Sequence, residues 1–149
     1  KQWEHALKPT LRDKASYIKS DYELLFNSNK LNLINGENEI IKGVTVLPKN
    51  GHTPGHQSVK IEDKNTTLLY CGDLIPTMTH IKVPYIMGYD LFPMETLKEK
   101  ELILEKAEKE KWLLFFEHDP NIEIAEVIKD ERGYSGKIVA CQSQLKIPT

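Results

Sequence analysis

Three apolar runs of strand length are each followed, within a few residues, by a short string rich in glycine, histidine and acidic residues. The runs are residues 44–47, 66–71 and 112–116. They lead into Gly51-His52-Thr53-Pro54-Gly55-His56, Cys71-Gly72-Asp73 and Glu117-His118-Asp119. Residues at the ends of neighbouring strands converge on one rim of a sheet, and polar side chains gathered there commonly build sites. The repeated run-then-motif pattern therefore predicts one sheet with one functional rim.

Around those strands the pattern is mixed. Residues 2–19 carry Trp3, Leu7, Leu11, Ala15 and Ile18 at three- and four-residue spacing, which predicts helix. Pro9 either divides it into two short helices or delays its start. Residues 21–29 read as a polar-rimmed connection around Leu24, Leu25 and Phe26, and residues 31–34 as a short strand before an Asn35-Gly36 turn. Ile40 and Ile41 precede a second turn at Lys42-Gly43. Residues 58–62 alternate Val59 and Ile61 against Lys60, while 66–71 is more apolar, as expected of a strand covered on both faces.

A connection over residues 74–93 holds Pro76, Pro84, Gly88 and Pro93, and loops of that length in a compact domain are usually functional or partly disordered. Residues 94–111 predict a helix with Leu97, Ile103, Leu104 and Ala107 on one side, and residues 122–128 a last helix. Gly133, Tyr134, Gly136 and the tail to Thr149 give weak signals. Strands, a helix and a further strand, with no internal repeat, predict a layered α/β (α+β) architecture in a single domain over residues 1–149.

Composition narrows the partners. The net charge is -2, and lysines alternate with glutamates over residues 95–111 as on a solvated helix face. Neither nucleic acid nor an acidic membrane surface is an expected partner. The sequence lacks an apolar run of about 18 residues, so a membrane span is not expected. Without a G-x-S-x-G string, serine-hydrolase chemistry is disfavoured. The two cysteines, Cys71 and Cys141, form no CxxC pair and read as reduced thiols of a cytoplasmic protein. A secretory signal is also missing, and a chain that opens on Lys1 rather than Met is expected to have been cut from a longer one.

Each motif alone is ambiguous. Gly51 and Gly55 with Pro54 make a stiff turn that holds His52 and His56, with or without a role for the rings. A carboxylate such as Asp73 at a strand end can cap a helix, bind a metal or act as a base. His118 sits between Glu117 and Asp119, either of which can orient its ring.

Taken in order, HTPGH, then GD about 20 residues on, then EHD about 45 further, resemble the metallo-β-lactamase superfamily. The likeness runs from Trp3 to about Tyr134 and corresponds to the C-terminal half of such a hydrolase. The nearest branch holds quorum-quenching lactonases and organophosphate hydrolases. Residues 51–58 and Gly72-Asp73-Leu74-Ile75-Pro76-Thr77 carry it most strongly.

The resemblance implies half of an αββα sandwich, a mixed sheet with flanking helices, and two zinc ions at its rim. It makes His52 a terminal ligand of the first ion and His118 of the second. Asp73 bridges both and is the catalytic residue. Imidazole and carboxylate suit zinc, and manganese or iron fit the same donors. A hydroxide shared by the two metals then attacks a lactone, ester or phosphoester. His56, Glu117 and Asp119 are expected to support those ligands. His80, Tyr85, Met87 and Tyr89 lie where family members line the substrate pocket, and His5 is expected to be structural.

One departure qualifies the resemblance. The family's H-x-H-x-D-H string is absent: the five histidines stand at 5, 52, 56, 80 and 118. Two protein ligands per metal fall short of the three that a catalytic zinc keeps. The expected partners are therefore a small-molecule substrate and either the N-terminal half of the same fold or a second copy, with this chain inactive alone. A thioesterase of the glyoxalase II kind shares the ligand order and is the alternative enzyme. A non-catalytic scaffold or oligomerisation domain is the alternative outside enzymes.

Overall fold

The computed structural model describes residues 1–141; the tail of weak signals to Thr149 lies outside the described residues from 142 on. The chain divides into two compact units, residues 1–36 and residues 37–149. Within the first, α1 spans Gln2–Leu7 and α2 spans Lys19–Asn27, with a 3-10 turn at Lys14–Ser16 between them. Of the two outcomes expected around Pro9, the interrupted one is found.

Residues 21–29 fold differently from the expected connection, because their aromatics recur at helical spacing. Trp3 stacks on Phe26 at 4.5 Å between ring centroids and meets Tyr22 edge-on at 5.6 Å, while the Tyr22 hydroxyl donates to the Ala6 carbonyl. Packing of that kind overrides weak local propensity. The strand expected at 31–34 is irregular chain instead. No described strand pairs with it, and an extended segment without a ladder leaves its amides to water.

The second unit is built on seven strands in sequential order. β1 is Asn38–Ile41, β2 Val44–Lys49, β3 His56–Glu62, β4 Thr67–Tyr70, β5 Leu113–Phe115, β6 Ile122–Asp130 and β7 Gly133–Cys141. All neighbours are antiparallel except β4 and β5. A parallel pair needs a crossover, and α3 (Pro93–Glu110) supplies it. Pro93 opens the helix where its missing N–H costs nothing, and Lys111 closes it in the left-handed region at φ 59°.

The helix expected at 122–128 is β6. Ile122 and Ile124 alternate with Ala125 and Val127 across a bulge, and β-branched residues at that period fit a pleated surface that completes the edge of β5. One sheet face turns Leu69, Leu114, Ala125 and Val127 into a core shared with Ile103, Leu104 and Ala107 of α3, closed by the buried Trp112. The opposite face carries a row in register, Val46, Val59, Tyr70, Phe115 and Ile124. No helix among the described residues is long and apolar enough to cross a membrane.

Candidate metal centre

The parallel strands β4 and β5 end side by side, so the residues that follow them meet. Gly72–Leu74 forms a 3-10 turn directly after β4, and Gly72 takes φ +55°. A Cβ there would lie 2.7 Å from His56 Nε2, so only glycine lets the backbone pass under that ring. The turn aims Asp73 at two histidines. His52 Nε2 lies 3.4 Å from Asp73 Oδ2, and His118 Nε2 lies 3.2 Å from Asp73 Oδ1. One carboxylate thus presents a separate oxygen to each imidazole.

His52 is held from behind. Its Nδ1 lies 2.8 Å from Oδ1 of Asp90, whose side chain is buried. An ionised carboxylate only accepts, so Nδ1 carries the hydrogen and Nε2 turns a lone pair toward Asp73. Burial depresses the basicity of this ring, but the hydrogen bond to Asp90 and the charges of Asp73 and Asp90 outweigh it and raise the pKa above the usual histidine value. Lone pair facing carboxylate oxygen is an arrangement that a shared cation or proton relieves. The donor chemistry fits a divalent cation on each side of Asp73, although His52 and Asp73 alone fall short of a full ligand set.

The loop bearing His52 is fixed by α3. Glu99 accepts from the amides of Asn50 at 2.7 Å and Gly51 at 3.1 Å, and Gly51 lies against Thr96. The next residue, Lys100, is wholly buried and donates to the carbonyls of Lys82, Val83 and Tyr85. Two consecutive helix residues therefore clamp the His52 loop and the loop that leads to Asp90.

His56 does not offer a ligand atom to the rim. Its Nε2 accepts the Asp73 amide at 3.0 Å, and burial holds its pKa below the usual value. Its Nδ1 is buried without a hydrogen-bond partner. Glu117 stands beside Asp73 and His118 and accepts the hydroxyl of Tyr70, whose pKa burial and that carboxylate push up to about 12.

Asp119 ties two loops together. It accepts from Met78 at 3.0 Å, Asn121 at 3.0 Å and Ile122 at 2.9 Å. Burial alone would raise its pKa, but these three amide bonds hold it below the usual carboxylate value. A depressed folded-state pKa contributes stability that is present above the unfolded value and lost as pH falls through the folded one. Asp119→Ala should cost about 1–3 kcal/mol at neutral pH, and the gap from the wild type should close as pH falls through the carboxylate range. Urea melts at pH 7 and pH 3 measure it; a gap independent of pH would mean that the carboxylate charge is not what holds these loops.

The expected substrate residues all lie in the connection between the Asp73 turn and α3. His80 Nδ1 pairs with the Thr77 hydroxyl at 2.8 Å, and burial followed by the nearby Lys100 charge lowers its pKa. Tyr85 and Tyr89 are exposed, and Lys82 lies over the Tyr85 ring. Two clefts flank α3, one of about 180 Å³ and one of about 530 Å³, and neither is lined by a rim residue. His5 pairs with Asp13 in the first unit, a structural role.

Asp90, Glu99, Lys100 and Tyr70 escape a reading from sequence. Asp90 lies in the long loop with no motif around it, and Glu99 and Lys100 look like members of the alternating charged helix face. A faint signal was the position of both on the side of α3 that carries Ile103 and Leu104.

The family model described as "Metallo-beta-lactamase superfamily" matches residues 2–118. An N-acyl homoserine lactonase of Bacillus sp is 36% identical over 106 residues, 68% of this chain and 37% of its own length. One from Bacillus cereus is 31% identical over 122 residues, 74% of this chain and 47% of its own. Among solved structures, a probable metal-dependent hydrolase from Staphylococcus aureus superposes with a TM-score of 0.81 at 26% identity, over 97% of this chain and 50% of that one. The dizinc quorum-quenching lactonase AidC shares the fold, with a TM-score of 0.68 at 19% identity over 91% of this chain and 47% of that one. This chain thus spans about half or less of the length of the relatives it matches.

Proposed function

The chain belongs to the metallo-beta-lactamase superfamily, and from that premise we propose that its rim is one side of a two-cation hydrolytic centre acting on a lactone, ester or phosphoester. The hydrolase class follows from the family and from lactonase relatives. The observation that carries the finer reading is Asp73, with one carboxylate oxygen 3.4 Å from His52 Nε2 and the other 3.2 Å from His118 Nε2.

In this reading His52 and His118 would each hold one cation, and Asp73 would offer one carboxylate oxygen toward each of them. When bound, zinc or another divalent cation supplies Lewis acidity, activating water and drawing off the charge that develops on the substrate. The chain's own residues do the rest. Asp90 fixes the tautomer and direction of His52, His56 takes the Asp73 amide and so sets the turn, and Asp119 holds the loops on either side of His118. His80, Tyr85, Met87 and Tyr89 remain our candidates for substrate contact, on loops next to the rim. The cytoplasmic setting expected from the sequence stays part of this reading, with Cys71 a buried thiol of the core.

The reading also holds that this chain is the C-terminal half of the fold and works only when completed. A second half bearing H-x-H-x-D-H, or a second copy, would add ligands and cover the row Val46, Val59, Tyr70, Phe115 and Ile124. The test is metal content and lactone, ester and phosphotriester hydrolysis, with and without an added N-terminal half from a relative. We expect the complemented wild type to hold two equivalents of zinc and to hydrolyse one of these classes, and Asp73→Asn to abolish both. Undiminished zinc and turnover in Asp73→Asn would refute the assignment, and a thioester as the only substrate cleaved would move it to the thioesterase reading.

A further inference from the structure

The donors around Asp73 are unequal on its two sides. Toward Oδ2 stands His52 Nε2; Asp90 Oδ1 is bonded to Nδ1 of the same ring and His56 Nε2 accepts the Asp73 amide, and among the described residues no third ligand atom gathers with His52 and Asp73. Toward Oδ1 the case differs. Asp73, Glu117 and His118 each present one ligand atom, and all three atoms lie within 4.8 Å of one another. His118 Nε2 is 3.2 Å from Asp73 Oδ1. Glu117 is steered from below by the Tyr70 hydroxyl, which uses one of its lone pairs and leaves the others free.

Building on the two-cation reading above, we propose that Glu117 is a metal ligand rather than a support for one. The His118 side of Asp73 then has three protein donors within this chain, two carboxylates and an imidazole, which is the number that a zinc site with an open position keeps. The His52 side has two. The two positions therefore differ in affinity, and the Asp73–Glu117–His118 position fills first. Its oxygen-rich donor set also accepts a harder ion such as manganese more readily than the His52 side does.

Cobalt titration of the 149-residue chain, followed by ligand-field absorption and paired with zinc calorimetry, tests this. The wild type should fill in two steps. Glu117→Gln, at an exposed position where folding is not at stake, should weaken the tighter step on the order of tenfold or more and leave the weaker step in place. His52→Ala should remove the weaker step and preserve the tighter one. If Glu117→Gln leaves the tighter step unchanged while Asp73→Asn removes both, Glu117 is not a ligand and the two-cation reading stands. A wild-type chain that takes up no cobalt overturns this proposal alone; if it takes up cobalt and Asp73→Asn and His118→Ala also leave the titration unchanged, the two-cation reading fails together with this proposal.

Discussion

Gly51→Ala is expected to destabilise the second unit by about 3 kcal/mol or more and to detach His52 from the rim. A Cβ at Gly51 would stand 2.3 Å from Thr96 Oγ1, 2.4 Å from Thr96 N and 2.5 Å from Thr96 Cα. Two of those atoms are helix backbone and cannot swing aside as a side-chain tip can. The loop cannot withdraw cheaply either. Gly51 N–H donates to Glu99, Gly51 C=O accepts from Phe92 at 2.9 Å, and His52 C=O accepts from Leu91 at 3.0 Å. Overpacking costs about 1–3 kcal/mol and each lost hydrogen bond about 0.5–1.5 kcal/mol, so the two together reach the stated size. Urea unfolding gives the stability, and cobalt uptake reports His52. A loss below about 1 kcal/mol with cobalt uptake intact would show that the loop is freer than this packing allows.

Lys100→Met should cost about 3 kcal/mol and loosen the segment that delivers Asp90 to His52. The Lys100 amine donates at 2.8, 3.2 and 2.6 Å to the carbonyls of Lys82, Val83 and Tyr85. Methionine fills the space and satisfies none of them. Burial lowers the Lys100 pKa to about 8, with the Asp90 charge opposing. The folded value lies below the unfolded one, so over the window from about 8 to 10.5 the unfolded chain holds the proton more tightly. Through that window Lys100 makes stability rise with pH. Stability curves at pH 7.5 and 10 should show the rise in the wild type and its absence in Lys100→Met. Identical slopes for the two proteins would place the titration elsewhere.

Much of this site was legible because its chemistry lies in contiguous strings. His52, Asp73 and His118 are each announced by a strand end and a glycine or acid beside them, and the parallel pairing of β4 and β5 brings the last two together. What the strings do not carry is the support. Asp90 and Lys100 act across 38 and 15–18 residues of chain, and nothing local marks them. Glu99 and Lys100 hide in a helix whose alternating charges read as solvated, although both are buried.

The fold divides along the same line. α3 and the strands from β2 to β5 follow from period and turn residues within each segment. β6 depends on β5 needing a partner, and α2 on Trp3 stacking against Phe26. Those are contacts between segments, and a local pattern is silent about them. The irregular chain at 31–34 makes the converse point, since a strand-like run without a neighbour stays unpaired.

The central claim is that the Asp73 carboxylate lies between two cation positions. Crystals grown with zinc and measured at the zinc absorption edge test it most directly. Two anomalous peaks are expected, one between His52 Nε2 and Asp73 Oδ2 and a stronger one among Asp73, Glu117 and His118. A map with no peak beside Asp73, or with zinc bound only elsewhere on the surface, would contradict it.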